Sequence, residues 1–104
     1  MSAWLMVRAE VGEADREAFD RWYENEHLPD AMKAFAIDHA WRGWSDVEAG
    51  IHYAFYEFPS IERAREVVNG SEAIKGMISE FDRCWEDRVV RSREIIDRTQ
   101  LLGA

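Results

Sequence analysis

The stretch Ile51 to Phe58 constrains the chain more than any other, because it packs four Phe and Tyr side chains into eight residues between Gly50 and Pro59. Aromatic rings at that density fit a pleated, half-buried strand, and Pro59 ends it. A strand so aromatic needs partners, and the sequence supplies three. Trp4 to Glu10 alternates Trp4, Met6 and Arg8 with the uniformly apolar Leu5, Val7 and Ala9, the pattern of a strand with one face on a core. Residues 37–45 carry His39, Trp41, Arg42 and Trp44 around Ala40 and Gly43 and read as a second strand, joined to Ile51 by a turn over 46–50. A last strand is expected over 91–99.

Helical spacing fills the gaps. Ala18, Phe19, Trp22 and Tyr23 share one face of a helix that starts near Asp15, a candidate N-cap, and is expected to break or kink near His27 because of Pro29. Asp30 is then a candidate cap for a short turn through Phe35. Ser60 and Ser71 are expected to cap two further helices, the second carrying Ile74, Met77, Ile78, Phe81, Cys84 and Trp85 at helical spacing. The order strand, helix, strand, strand, helix, strand predicts an α+β fold: a ferredoxin-like βαββαβ sandwich with a four-stranded antiparallel sheet and its helices on one face. That leaves the other sheet face uncovered, and its aromatic load predicts a homodimer packed sheet against sheet.

Length fits one domain over residues 1–104, large enough to bury a core without disulfides. The 21 acidic against 13 basic residues give a formal charge of −8, which opposes phosphate binding, so no nucleic-acid partner is expected. Cys84, the single cysteine, can form no internal disulfide, and no signal-like or membrane-spanning apolar run is visible; a cytoplasmic protein with no membrane partner is the expectation. No Gly-rich phosphate loop is present, so no nucleotide or other cofactor is expected. His27, His39 and His52 lack metal-ligand spacing, and no metal site is expected.

The segment Phe19-Asp20-Arg21-Trp22-Tyr23-Glu24-Asn25-Glu26-His27-Leu28-Pro29-Asp30, an aromatic pair followed by His-x-Pro, resembles the first helix of the EthD-like group of dimeric α+β barrel proteins. The strand Tyr53 to Phe58 is similar to that group's third strand. The resemblance implies a homodimer whose two sheets enclose a barrel, with a pocket in each subunit between sheet and helices. It spans muconolactone-type isomerases, polyketide cyclases, cofactor-independent quinone-forming monooxygenases and haem-degrading enzymes, so it does not choose a reaction. The haem-degrading pattern of Asn on the first strand and His on the last long helix is missing here. His27 and His52 fall in regions where methylmuconolactone-type isomerases carry histidines.

His27 is the candidate catalytic residue, since imidazole titrates near neutral pH and Glu24 or Glu26 is within reach to orient it. Its alternative role is to complement a helix C-terminus. Trp22, Tyr23, His39, Trp41, His52, Tyr53 and Tyr56 are the candidate substrate-binding residues, combining ring surface with hydrogen-bonding tips. Whether His39 and His52 share a face depends on strand register. Arg88, Arg91, Arg93 and Arg98 are expected to pair with a partner subunit's carboxylates. Two functions follow as expectations: a cofactor-independent enzyme acting on a small aromatic, phenolic or lactone-like compound through a histidine general base, or a non-catalytic, stress-associated module binding a hydrophobic metabolite.

Overall fold

The computed structural model describes residues 2–103. Four strands, β1 (Ala3–Val11), β2 (Ala40–Trp44), β3 (Ile51–Phe58) and β4 (Val89–Asp97), form one antiparallel sheet in the order β2-β3-β1-β4. Helices α1 (Arg16–Trp22), α2 (Leu28–Phe35), α3 (Ile61–Val68) and α4 (Glu72–Trp85) cover one face, giving the ferredoxin-like α+β sandwich. Register sets that face: Leu5 lies opposite both Tyr56 and Ile95, and Ala9 opposite His52 and Arg91, so these side chains all point toward the helices. Leu5, Ala54, Tyr56 and Phe58 are buried there against Phe19, Phe35, Phe81 and Trp85.

The opposite face carries Trp4, Trp41, Tyr53 and Phe55. Trp41 stacks on Phe55 with centroids 4.4 Å apart, and Trp4 meets Phe55 edge-on, yet none of the four is buried.

Several local expectations need correction. Pro29 does not end the helix: residues 16–35 form one helical run in which α1 and α2 are joined by a π-helical turn, Tyr23–His27, closed by the Leu28 N–H donating to the Tyr23 carbonyl. The wide turn restarts α2 so that Pro29 stands in its first turn, where a missing N–H costs nothing. Asp30 is therefore inside α2 and caps nothing. Asp15 precedes α1 but its carboxylate makes no cap bond; it accepts from Arg88 at 2.7 Å instead. Ser60 and Ser71 cap α3 and α4 as expected, accepting from the N–H groups of Arg63 and Ile74. The second strand begins at Ala40 rather than residue 37, because Ala36 takes a left-handed conformation and the Ile37 N–H returns to the Met32 carbonyl, spending those residues on closing α2. The last strand lies two residues earlier than expected at each end.

Gly50 needs its φ of +82° to turn into β3. A Cβ there would lie 2.5 Å from the Val11 carbonyl oxygen, so only glycine fits. Among the described residues, no helix is long and apolar enough to cross a membrane.

Candidate functional site

The π-helical turn decides which side chains meet. In an α-helix, residues five apart point about 140° away from each other around the axis. Where i→i+5 bonds close the turn, residue 27 instead stands above residue 22. The His27 imidazole accordingly lies on the Trp22 indole, centroids 4.3 Å apart and 20° from parallel, with the Tyr23 ring edge-on at 4.9 Å and Phe81 of α4 edge-on at 5.7 Å.

This aromatic cluster borders a cavity of ≈ 310 Å³ between the sheet and the helices. Leu5, Val7 and Tyr56 contribute from the sheet, Tyr23, His27 and Phe35 from the first helical run, and Met77, Ile78 and Phe81 from α4, with Arg91 and Arg93 on the β4 side. The walls are mostly apolar, and the polar tips are few. The Tyr23 and Tyr56 hydroxyls bond each other at 3.2 Å; burial pushes the Tyr23 phenol up to about 12 and raises that of Tyr56 as well, so both are protonated donors at neutral pH. Burial, and secondarily the Arg91 guanidinium, pull His27 down from 6.5 to about 4, leaving a neutral ring. Its Nδ1 is buried without a hydrogen-bond partner. Glu24 and Glu26 are exposed and neither bonds the ring, so the orienting carboxylate expected from the sequence is missing and aromatic stacking holds the imidazole instead.

Behind Tyr23 lies a polar network. Asp20 Oδ1 accepts from Arg42 Nη1 and from Trp44 Nε1, both at 2.8 Å, and Arg42 Nη1 also reaches His52 Nε2 at 3.3 Å. A guanidinium can only donate, so His52 Nε2 accepts and its proton sits on Nδ1, which is buried and unpartnered. Burial, reinforced by Arg42, pulls His52 to about 4 despite the opposing Asp20 charge.

Of the residues expected to bind a ligand together with His27, the structure brings Tyr23 and Tyr56 to the cavity. Trp22 and His52 stand behind it, the first under His27 and the second against Tyr23 at 4.5 Å. Trp41 and Tyr53 do not reach it, because strand alternation turns them to the uncovered sheet face. His39 lies just before β2, where its backbone oxygen accepts from the Glu57 N–H; its exposed imidazole sits 3.3 Å from the Glu57 carboxylate. His39 and His52 thus belong to opposite faces.

The sequence reading missed Arg91 and Phe81 as cavity residues. Arg88, Arg91 and Arg98 also find carboxylates in their own chain, on Asp15, Asp82 and Glu57. The available signal was alternation: from Val89, the series Val89, Arg91, Arg93, Ile95 shares the face of Leu5 and Val7. Starting the strand at residue 91 and treating its arginines as surface charge hid it.

No protein-family profile matches the chain, and no curated protein sequence does. Solved structures do. A Bacillus halodurans protein of the ethyl tert-butyl ether D (EthD) family superposes with a TM-score of 0.74 at 17% identity, covering 95% of this chain and 100% of that one. A variant of SnoaB, a cofactor-independent oxygenase from Streptomyces nogalater, gives 0.66 at 11% identity over 99% and 98% of the two chains. An uncharacterised NIPSNAP-like domain protein from Burkholderia xenovorans gives 0.67 at 8% identity over 99% and 90%. The EthD-like resemblance of residues 19–30 is borne out as a shared fold. At these identities the likeness establishes architecture, and SnoaB shows that a cofactor-independent oxygenase is built on it.

Proposed function

We propose that the chain is a cofactor-independent enzyme that binds a small aromatic, phenolic or lactone-like compound in the ≈ 310 Å³ cavity, with His27 as its general base. The observation that carries this reading is a buried imidazole, kept neutral by its apolar setting, in the wall of a mostly apolar cavity. A ring held near 4 is unprotonated at neutral pH and ready to take a proton. Its weak basicity restricts it to acidic O–H protons or C–H protons whose electron pair delocalises into a ring or carbonyl. The proton moves to His27, and the electron pair stays on the ligand as a conjugated anion. The Tyr23–Tyr56 pair, one O–H of which is used in their mutual bond, has one hydroxyl proton left to donate, and Phe35 and Phe81 offer ring surface for a flat molecule.

Two copies pair through the uncovered sheet faces, where Trp4, Trp41, Tyr53 and Phe55 form a patch that water would otherwise cover. In that assembly Trp41 and Tyr53 serve the interface.

The second reading, a binding or stress-associated module without turnover, is favoured by one observation: among the described residues nothing hydrogen-bonds His27 Nδ1 to raise the ring's basicity. Turnover assays on a panel of phenols and unsaturated lactones, run with the parent protein and with His27→Gln, separate the two. The enzyme reading expects conversion that falls by on the order of 10² or more in the variant. Binding without conversion of any compound supports the module, and conversion unchanged in His27→Gln removes His27 from the mechanism.

A further inference from the structure

Acidic residues outnumber basic ones by 21 to 13 in this chain, yet among the described residues no Asp or Glu lines the cavity, while Arg91 and Arg93 do. Both arginines stand on the inward face of β4, opposite Ala9 and Val7, and line the cavity, whereas the inward Arg42 of β2 lies outside the cavity wall and is bonded to Asp20. An arginine turned inward loses hydration and needs compensation. Arg91 receives part of it from the Phe81 ring, 3.9 Å from its guanidinium carbon, and part from Asp82 at 3.2 Å. The Asp82 side chain is 62% exposed, so this ion pair is solvent-screened. It also engages one donor nitrogen of a group that carries five N–H donors. Arg93 makes no ion pair among the described residues. The remaining polar residues at the cavity, the neutral His27, Tyr23, Tyr56 and Ser92, repel no anion.

We propose that the cavity's ligand carries a carboxylate on a small planar ring system, bound by Arg91 and Arg93 at the β4 side while the ring lies inward against Phe81 toward His27. This rests on the reading of the cavity as a small-molecule site and names its substrate class. A carboxylate matches the planar guanidinium fork, and one anionic group suffices for the charge available. The cavity stands at the low end of the roughly 300–1,000 Å³ usual for ligand sites, which limits the rest of the molecule to one or two rings. The same two arginines give an acidic protein a local positive field at the β4 side of the cavity.

Isothermal titration with p-hydroxybenzoate and its neutral isostere p-hydroxybenzamide tests it, using the parent protein, Arg93→Gln and Arg91→Gln. Arg93 is exposed, so its variant keeps the fold even where the Arg91 change disturbs packing on Phe81. The acid is expected to bind on the order of tenfold or more tighter than the amide, and Arg93→Gln is expected to remove most of that preference without weakening the amide. Equal affinities for acid and amide, or a preference that survives in both variants, overturn the anion inference and leave the small-molecule site standing. Failure of both compounds to bind at millimolar concentration overturns the inference together with the reading beneath it.

Discussion

His27 lies flat on Trp22, five residues before it, with ring centroids 4.3 Å apart. That spacing is out of reach in an uninterrupted α-helix and depends on the π-helical turn Tyr23–His27. The stack does two things for the site. It fixes the imidazole plane without a hydrogen-bonded orienter, and it keeps the ring in an apolar setting that favours the neutral form.

Stability is expected to fall in mild acid. His27 and His52 titrate near 6.5 when unfolded and near 4 when folded, so between those values the unfolded chain binds more protons. Stability is therefore full above about pH 6.5 and is lost as pH drops toward 4, by on the order of 3 kcal/mol per ring. Urea midpoints measured from pH 7.5 to 4.5 check it. A midpoint that stays level across this range would mean that neither ring is held neutral by the fold.

Asp20→Ala removes the acceptor shared by Arg42 and Trp44 and leaves Arg42 facing His52 without its counter-charge. The Asp20 side chain is 44% exposed, so solvent softens the loss to about 1–3 kcal/mol. The same bonds, to Trp44 first and Arg42 second, hold the Asp20 carboxyl below 3.8, so this contribution persists above that value and disappears as pH falls further. Denaturant unfolding at pH 7 measures the difference, and an unchanged midpoint would make the network incidental to stability.

Phe55→Glu puts a charge at the centre of the uncovered sheet patch, between Trp4, Trp41 and Tyr53. Phe55 is not in the buried core, so the fold is expected to survive while the dimer separates into 12.2 kDa monomers. Light scattering on both proteins at micromolar concentration reads this directly. A monomeric parent protein would refute the interface, as would a variant that stays dimeric.

Element order was legible in the sequence because each element announces itself locally: the aromatic alternation of 51–58, the serine caps at Ser60 and Ser71, and the helical spacing from Ile74 to Trp85. Tyr23, Tyr56 and His27 could be singled out as rings with polar tips. Their meeting at one cavity depends on register and on the π-helical turn, which Pro29 hints at only as a disturbance. Tyr53 stands three residues from Tyr56 on one strand and so takes the opposite face in any register, which alternation alone shows, whereas the face of Trp41 depends on how β2 pairs with β3, and a shift of one residue reverses it. Arg91 stayed hidden for a related reason, since an inward arginine looks like any surface charge until its strand is correctly started.

Occupation of the cavity beside His27 by a small aromatic molecule is tested most directly by proton–carbon correlation NMR of the histidine rings during a titration with p-hydroxybenzoate. The three histidines report at different depths: His27 at the cavity, His52 on the far side of Tyr23, and His39 just before β2 on the other sheet face. The His27 signals are expected to move furthest and saturate, those of His52 to move less, and those of His39 to stay in place. Saturating shifts at His39 with His27 unmoved, or no shift at any ring at millimolar ligand, would contradict it.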